Sequence, residues 1–427
     1  MEGRMRGTEV VAKALRTCAD TFYTVPGYPV TEIAEILHAE LVINEKVALE
    51  YALGDSIAGR RSVLIIKNVG LNVCADPLVN ATTQGLRSGV VIIAGDDVLA
   101  KGSQNTQDSR YYGEVAQVPV IEPNKINCVS AIASAFEASE HFSRVVIVRV
   151  TPQLLENEAV MGACKRQGVQ GKLADPNLTM RGRSQAAEKL TSAMFEWSRS
   201  SPLNDFKGGV VGVGATEGDS HVATVYPPPA KTATLARTNE LGRSFVHEHR
   251  CIKAQNFKDK PETYTKRGHY RTFCRECPFK PLIQKLVDRK MSVICDMGCS
   301  VLATNPPYRI GVACYALGSS IAVAARSTQV ALIGDYALLH SGINALIDVY
   351  EKHRPLLCIV LKNDRMGMTG GQEIYDLLRY LTWAKPVVCR ADNERNLNKE
   401  LVVTKTPRTL IVEGMCPKGC NHETVEC

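Results

Sequence analysis

"VALIGDYALLHSGINALIDVYEKHRPLLCIVLKNDRMGMTGGQ", residues 330–372, contains two short apolar runs separated by a helix-like stretch. The first run ends at Gly334-Asp335 and the second ends at Asn363. Buried parallel strands have this composition, and their carboxyl ends meet at one edge of a sheet, where ligands bind. We therefore expect Asp335 and Asn363 to face one crevice, where a carboxylate and an amide suit a divalent cation on a diphosphate. A strand-end turn beside a polar loop is the alternative interpretation.

The same alternation of strands and helices extends through the N-terminal part of the chain. "SVLIIKNV" (62–69), "GVVIIAGDD" (89–97) and "RVVIVRVT" (144–151) are short, rich in β-branched residues and nearly uninterrupted. Helix-like stretches such as "EKVALEYALGDSIAG" (45–59) lie between them. This βαβ pattern predicts a doubly wound parallel sheet.

The pattern divides the chain into four segments. We expect an α/β domain at 1–151, a reduced middle domain and linker at 152–270, a second α/β domain at 271–415 and a Cys-containing tail at 416–427. The middle segment offers only one helix-like stretch, 184–197, and one glycine-punctuated strand, 208–214. The predicted fold class is α/β, with two doubly wound parallel-sheet domains and a small middle domain.

Composition excludes several classes of function. The formal charge of +7 is mild and the basic residues are scattered, so we expect no nucleic-acid partner. No apolar run reaches the roughly 18 residues that a membrane span needs, so we expect no membrane partner. The N-terminal "MEGRMRGTEVVAKAL" lacks the apolar centre of a secretory signal, and a cytoplasmic location is the expectation.

Fifteen cysteines are unusual for a chain expected in a reducing compartment, and they favour metal ligation or an anaerobic lifestyle over disulfides. One Cys-x-x-Cys pair and two cysteines at distant strand ends could together hold a [4Fe–4S] cluster: Cys274, Cys277, Cys299 and Cys416. Zinc is a second interpretation, with Cys274, Cys277, Cys416 and Cys420 as ligands. Cysteines without a metal are the third. Cys420 and Cys427 of the tail are otherwise unassigned.

Longer stretches resemble one known family. "GDYALLHSGI" and "KNDRMGMTGGQ" are similar to the alpha subunit of indolepyruvate:ferredoxin oxidoreductase, a thiamine diphosphate-dependent 2-oxoacid:ferredoxin oxidoreductase. "NEKVALEYALGDSIAGRRSVLIIKNVGLNVCADPL" and "SQNTQDSRYYGEVAQVPVIEP" resemble its pyrimidine-binding domain, and "YTVPGYPVTEI" is an altered form of its opening motif. The resemblance runs from about residue 6 to 414 and is weak between 152 and 270. It implies a pyrimidine-binding domain at 1–151 and a diphosphate-binding domain at 271–415.

The resemblance also implies roles for individual residues. Glu45 matches the acid that activates the thiamine pyrimidine ring, although a glutamate at a helix start also stabilises the helix dipole. Asp335, Asn363 and the backbone carbonyl of Arg365 would bind Mg²⁺, and His340 would handle protons unless it is a buried, hydrogen-bonded histidine. The remaining cofactor-binding positions are Asn44, Gly27, Pro29, Gly298, Gly334, Met368 and Thr369. In this family the cofactor lies between such domains, usually across a dimer interface.

Three further points follow from the comparison with the family. The family's cluster cysteines match Cys274, Cys277, Cys299 and Cys416. Tyr336 stands where thiamine enzymes usually have a small residue, so its side chain either turns outwards or fills the pocket. The sequence ends before the family's ferredoxin-like extension, so we expect electrons to leave through ferredoxin or another electron carrier. Lys67 and Asn72 lie on a strand-end loop, where substrate contact and loop structure are equally plausible roles.

The function implied by the resemblance is oxidative decarboxylation of an indolepyruvate-like 2-oxoacid to an acyl-coenzyme A, with coenzyme A as co-substrate. Electrons would pass through the [4Fe–4S] cluster. A small second subunit and a homodimer or heterotetramer are expected. Two alternatives stay open: a non-oxidative thiamine-dependent 2-oxoacid decarboxylase, and a non-catalytic scaffold or assembly protein with the thiamine fold.

Overall fold

The computed structural model describes residues 3–97, 99–103, 105, 107–168, 170–203, 225–226, 260–417 and 422–427. It divides into two compact units, the first formed by residues 1–173 and 184–260 and the second by residues 174–183 and 261–427. The strand predicted at 208–214, most of the C-terminal half of the predicted middle domain, and Cys420 lie outside the described residues. The two units are described separately below.

The first unit is built around a parallel sheet. Its strands are β1 (Gly3–Arg6), β2 (Thr21–Val25), β3 (Glu40–Leu41), β4 (Ser62–Lys67), β5 (Val90–Gly95), β6 (Val120–Ile121), β7 (Val146–Val150), β8 (Glu158–Met161) and β9 (Val225–Tyr226). Within the described residues the main sheet has the order β3-β2-β4-β5-β7-β6-β9, and its pairs are parallel except β6–β9. β1 and β8 form a separate antiparallel pair.

Nine helices are described from residue 7 to residue 200, the last of which begins in the second unit and continues into the first. They are α1 (Gly7–Cys18), α2 (Thr31–Leu37), α3 (Glu45–Ile57), α4 (Gly70–Val73), α5 (Ala75–Gln84), α6 (Tyr111–Ala116), α7 (Cys128–Phe142), α8 (Pro152–Leu155) and α9 (Met180–Ser200). β4 and β5 are buried along nearly their whole length because helices cover both faces, which is why their sequences read as continuous apolar runs. β5 is shorter than its apolar stretch predicts, since Asp96 and Asp97 leave the sheet after Gly95.

The second unit contains a parallel sheet of five described strands. These are β11 (Ile294–Cys295), β12 (Val330–Gly334), β13 (Leu356–Lys362), β16 (Val387–Arg390) and β17 (Pro407–Glu413), in the order β11-β12-β13-β17-β16. Its helices span Tyr264–Arg267, Lys280–Asp288, Ser320–Ala325, Asp335–Ala337, Ile343–Glu351 and Glu394–Glu400, and short helical turns span Cys299–Thr304, Leu338–Gly342, Leu377–Tyr380 and Thr382–Ala384. Two antiparallel pairs complete it: β10 (His269–Arg271) with β18 (Thr424–Glu426), and β14 (Arg365–Met366) with β15 (Gln372–Glu373).

The parallel register confirms the predicted α/β fold class and fixes the position of the candidate residues. Gly334, the last residue of β12, lies opposite Leu361 in β13. Asp335 and Asn363 are the residues that leave these two adjacent strands, so both lie at the carboxyl edge of the second sheet. None of the helices in the described part of the chain combines the length and hydropathy needed to span a membrane.

Candidate active site

A cavity of about 280 Å³ lies at the carboxyl edge of the second sheet. Its walls combine candidate diphosphate-binding residues with candidate cluster cysteines. The predicted residues that line it are Gly298, Gly334, Asp335, Asn363, Arg365, Met368, Thr369, Cys274, Cys277, Cys299 and Cys416. Tertiary structure thus brings together segments that are more than a hundred residues apart in the sequence.

Asp335 is held by backbone N–H groups. Its Oδ1 accepts a hydrogen bond from the Tyr336 N–H (2.8 Å), and its Oδ2 accepts from the N–H groups of Asn363 (2.9 Å) and Asp364 (2.8 Å). The residue is only 2% exposed. Burial raises the pKa of the Asp335 carboxyl, and the three backbone hydrogen bonds oppose that shift. A carboxylate can accept about four hydrogen bonds, so capacity remains for a cation.

Asn363 connects this carboxylate to the cysteines. Its side-chain Nδ2 donates to Cys416 Sγ at 2.9 Å, while its backbone N–H holds Asp335. The amide oxygen is therefore the group that remains available for a metal ion. The carbonyl of Arg365 accepts from the Gly367 N–H (3.1 Å), and a carbonyl has a second lone pair that can bind Mg²⁺.

Two glycines leave room beside their backbone. Gly298 has a φ of 105°, and a Cβ built on either Gly298 or Gly334 would meet no atom within 4 Å. Bare backbone beside open space is what a close-fitting diphosphate needs. Met368 and Thr369 lie on the β14–β15 hairpin, where the Thr369 hydroxyl donates to Oε1 of Gln372 at 3.1 Å.

Tyr336 is part of the cavity wall and is 37% exposed. Its ring lies 5.8 Å from the ring of His340, centroid to centroid. His340 is exposed and belongs to a π-helical turn, Leu338–Gly342, a local irregularity that is frequent at functional sites. The exposed position is not the buried, hydrogen-bonded environment that was the alternative for His340.

The four candidate cluster cysteines form the sulfur-containing part of the wall, together with Phe273 and Phe279. Burial raises the pKa of the Cys277 thiol to about 12, and the neighbouring Cys416 and Cys274 add to the shift. Within the described residues, no three His, Cys, Asp or Glu side chains are arranged to share one metal ion, and Cys420 of the zinc alternative is not described. Cysteines of a [4Fe–4S] cluster bind four separate irons, so they need not converge on one point.

The first unit holds the other predicted residues. Glu45 is the first residue of α3, and Asn44 caps that helix by accepting from the Val47 N–H at 2.9 Å. The Glu45 side chain lies against Gly70: a Cβ on Gly70 would come within 2.8 Å of its Cγ and Oε1. Cys74 is fully buried nearby, and burial raises its thiol pKa, with the Glu45 charge adding to the effect.

Gly27 and Pro29 lie at the carboxyl edge of the first sheet. A Cβ on Gly27 would come within 2.8 Å of the Lys67 Cβ, and a Cβ on Gly95 would come within 2.8 Å of the Pro29 Cδ. Lys67 and Gly95 end the parallel strands β4 and β5, so both predicted residues pack on strand ends. The Lys67 Nζ donates to the Gly102 carbonyl at 2.9 Å.

Asn72 follows β4 on the same edge and is exposed. Its Nδ2 donates to Gln107 Oε1 at 2.9 Å, and its Oδ1 accepts from the Tyr112 hydroxyl. These contacts connect α4 to the segment that contains Gln107 and the start of α6. Substrate contact by Lys67 or Asn72 remains a prediction.

Residues 284–389 match the family model of the thiamine pyrophosphate enzyme C-terminal domain, described as TPP-binding. Indolepyruvate oxidoreductase subunit IorA of Archaeoglobus fulgidus is 26% identical over 86% of this chain and 75% of its own length. The subunit of the same name from Methanothermobacter marburgensis is 25% identical over 85% and 75%. The chain is thus similar to these IorA subunits over most of its length. A shorter stretch, 38% of the chain, is 33% identical to IorA of Pyrococcus abyssi and covers 27% of it.

Solved thiamine enzymes have a similar fold. A putative thiamin diphosphate-dependent enzyme from Mycobacterium smegmatis matches 97% of this chain and all of its own, with a TM-score of 0.60 at 14% identity. A thiamine diphosphate-dependent 4-hydroxybenzoylformate decarboxylase from Rhodococcus jostii gives 0.57 at 13% identity over the same shares. The resemblance predicted from sequence motifs is confirmed, and the relationship to IorA supports a thiamine diphosphate-dependent oxidoreductase family.

Two residues of the second unit were missed by sequence reasoning. Asp296 follows β11, and its Oδ1 accepts from the N–H groups of Met297 (2.9 Å) and Gly318 (2.8 Å). Its Oδ2 accepts from the Ser320 N–H (3.0 Å), so it fixes the loop that carries Leu317 into the cavity wall. His422 also lines the cavity, and burial lowers its pKa, as does Arg271 to a smaller extent. Asp296 could have been found as a polar residue at a strand end; His422 had no such signal.

Proposed function

We propose that this chain is the catalytic subunit of a thiamine diphosphate-dependent 2-oxoacid:ferredoxin oxidoreductase that acts on an indolepyruvate-like acid. One observation supports this above all: Asp335 and Asn363 line the same cavity as four cysteines. Hard oxygen ligands suit Mg²⁺ and a diphosphate, whereas thiolates suit iron–sulfur clusters. A thiamine enzyme without a redox step has no need for the sulfur ligands.

The oxygen-bearing part of the cavity fits Mg²⁺ and the diphosphate of thiamine diphosphate. Asp335, the amide oxygen of Asn363 and the carbonyl of Arg365 would hold the cation. Gly298 and Gly334 leave the space that the phosphates would enter, and Met368 and Thr369 form part of the same wall. When bound, thiamine diphosphate supplies an electron sink for the carbon that loses carbon dioxide.

Proton handling is assigned to two residues. The Glu45 carboxyl would exchange a proton with the pyrimidine ring of the cofactor. Asn44, Gly27 and Pro29 of the first unit would surround that ring. The π-helical turn leaves the imidazole of His340 exposed, where it can take or give a proton at the reacting 2-oxoacid. Both roles are matched to the family by sequence position.

The cysteines would hold a [4Fe–4S] cluster that receives electrons one at a time. Cys274, Cys277, Cys299 and Cys416 provide four thiolates, and the aromatic side chains beside them lower the local polarity, which affects cluster potential. Ferredoxin or another electron-carrier protein would take the electrons, and coenzyme A would take the acyl group. A small second subunit and a dimeric or heterotetrameric assembly belong to the same proposal.

The position of Tyr336 supports a working cofactor site. Its side chain forms part of the wall, and a third of its surface is exposed, so it does not fill the cavity. The scaffold alternative rested on a tyrosine that blocks the pocket. Contact with the His340 ring instead gives Tyr336 a place next to a proposed proton carrier.

Protein purified without oxygen tests the proposal. Mass spectrometry of the denatured protein should find thiamine diphosphate, and chemical analysis should find about four iron atoms and four labile sulfides per chain. The absorbance spectrum should show a broad band near ~400 nm that dithionite bleaches. Thiamine diphosphate without iron would instead indicate the non-oxidative decarboxylase, and the absence of both would indicate the scaffold.

A further inference from the structure

The end of the chain is fixed to the segment that precedes the Cys-x-x-Cys pair. β18 pairs with β10 in antiparallel register, with Tyr270 opposite Val425. The pairing continues beyond both strands, since the Thr272 N–H donates to the Glu423 carbonyl (2.9 Å) and the Cys427 N–H donates to the Gly268 carbonyl (3.1 Å). Residues 422–427, here called the C-terminal clasp, therefore have a defined position in the second unit.

A lysine links the clasp to the cysteine loop itself. The Nζ of Lys280 donates to the Arg275 carbonyl at 3.0 Å and lies 3.3 Å from Oε2 of Glu423. Arg275 lies between Cys274 and Cys277 in the sequence. The clasp, the loop and the start of the helix Lys280–Asp288 are thus connected through one side chain.

His422, the first residue of the clasp, lines the cavity next to Cys299. The imidazole Nε2 lies 3.3 Å from Cys299 Sγ, and His422 is only partly exposed. Cys299 begins the turn that follows the open backbone of Gly298 and is one of the four proposed cluster ligands. The clasp thus places the imidazole of His422 next to the sulfur of a proposed cluster ligand.

We propose that His422 is a positioning residue that donates a hydrogen bond from Nε2 to the sulfur of Cys299 and thereby sets the reduction potential of the cluster. A thiolate bound to iron can only accept a hydrogen bond, so Nε2 must carry the proton when the cluster is present. Hydrogen bonds to cluster sulfurs stabilise the more negative, reduced state and raise the potential. The redox consequence rests on the proposed cluster; the contact between His422 and Cys299 does not.

Matched variants test the hydrogen bond in protein that contains the cluster. His422→Leu keeps bulk and removes the donor, whereas His422→Gln keeps an N–H donor. Thr424→Val changes an exposed side chain of β18 without removing a backbone hydrogen bond, so it controls for disturbance of the clasp. A redox titration followed by electron paramagnetic resonance should give a more negative midpoint potential for the Leu variant. The Gln variant should recover part of the shift, and the Val control should match the wild type.

Equal potentials in all four proteins would overturn the inference while leaving the cluster in place. If the wild type contains no iron, the proposed function and the redox consequence both fail, and alkylation of the iron-free protein by iodoacetamide then decides whether His422 donates to Cys299. A donor that stabilises the thiolate should make Cys299 react about threefold faster in the wild type and the Gln variant than in the Leu variant. Equal Cys299 rates would overturn it. Cys427, which is exposed at the other end of the clasp, should react equally in every variant.

Discussion

Each unit contains a buried aspartate that follows a glycine at the end of a parallel strand. In the first unit the pair is Gly95-Asp96 after β5, and in the second it is Gly334-Asp335 after β12. Both aspartates are almost completely buried, and burial raises the pKa of each carboxyl. Their local sequences, "IIAGDD" and "ALIGDY", are nearly interchangeable.

The partners of the two carboxylates differ. Asp96 is paired with the guanidinium of Arg149, which also binds Glu122 Oε2 at 2.6 Å, and it accepts from the backbone and hydroxyl of Ser109. Burial lowers the pKa of Arg149, but Glu122 and Asp96 outweigh that effect and raise it. Asp335 has backbone N–H groups as its partners among the described residues, and it borders a cavity.

We propose that this difference separates a structural charge, that of Asp96, from a functional one, that of Asp335. The charge of Asp96 is already balanced inside the protein, so the residue has no need of a ligand. Backbone N–H dipoles orient Asp335. None of the groups that shift its pKa is a cation that would balance its charge. A buried carboxylate without a balancing cation is costly, and a bound metal ion would supply the missing charge.

Removal of Arg149 should have the largest effect on stability. Arg149→Met leaves Asp96 and Glu122 buried without their cation, and breaking a buried pair in this way costs about 3–5 kcal/mol. Urea denaturation with hydrogen exchange of β7 as a local probe measures it. Arg6→Met is the matched control, because Arg6 and Glu32 form an exposed pair worth less than about 1 kcal/mol. Equal losses in the two variants would contradict the structural role of the Arg149 cluster.

Asp335→Asn should abolish cofactor retention while leaving the fold intact. Loss of a direct metal ligand is expected to weaken thiamine diphosphate binding in the presence of Mg²⁺ by at least about 100-fold. Calorimetric titration of the purified protein measures this. Asp364→Asn is the control: Asp364 lies next to Asn363 with a φ of 56°, which asparagine tolerates, and its backbone N–H to Asp335 is retained. Similar weakening in both variants would place the metal elsewhere.

Gly70→Ala extends the comparison to Glu45, an acid that lies against bare backbone rather than a cation. The new Cβ would come within 2.8 Å of the Glu45 Cγ and Oε1, so the carboxyl must move. Displacement of a catalytic acid by a fraction of an ångström should lower kcat for 2-oxoacid decarboxylation by about tenfold. Gly162→Ala, where a Cβ meets no atom within 4 Å, should leave kcat unchanged. An unchanged kcat for Gly70→Ala would argue against the role of Glu45.

Asp20 forms an exposed ion pair, so its substitution should have a smaller effect than the three substitutions above. Its carboxylate pairs with Arg166 at 2.6 and 2.9 Å, and this hydrogen bonding lowers the Asp20 pKa below its usual value. For an acid with a lowered pKa, the stability it contributes is present above the unfolded-state pKa near 3.8 and is lost as the pH falls through the folded-state value. Asp20→Asn should therefore cost less than about 1 kcal/mol at pH 7. Thermal unfolding should show that difference shrinking in acid; a difference independent of pH would refute the pairing.

Sequence reasoning found several strands of each sheet because a buried parallel strand must be apolar on both faces. The runs predicted at 62–69, 89–97 and 144–151 correspond to Ser62–Lys67, Val90–Gly95 and Val146–Val150. The predicted runs extend beyond the observed strands at their ends. The polar residues that follow a strand and hold a loop carry no periodic signal that marks where the strand stops. The clasp and its histidine were missed for a related reason: three residues are too few for a pattern, and β18 forms only because β10 offers it an edge.

The candidate site shows the same contrast between features that the sequence indicates and features that it does not. Asp335, Asn363 and the four cysteines could be named from strand ends, spacing and family resemblance, because chemistry restricts which residue types bind a diphosphate or a cluster. The sequence did not distinguish Gly95-Asp96 from Gly334-Asp335 by local pattern.

By itself, then, the sequence determined the fold class, the candidate residues and the resemblance to thiamine enzymes. Only tertiary structure decided which buried aspartate is neutralised by an arginine, which one borders a cavity, and which histidine reaches Cys299. The physical reason is that charge balance and hydrogen bonding depend on distances between residues far apart in the chain. Local sequence does not encode those distances; the packing of the whole sheet does.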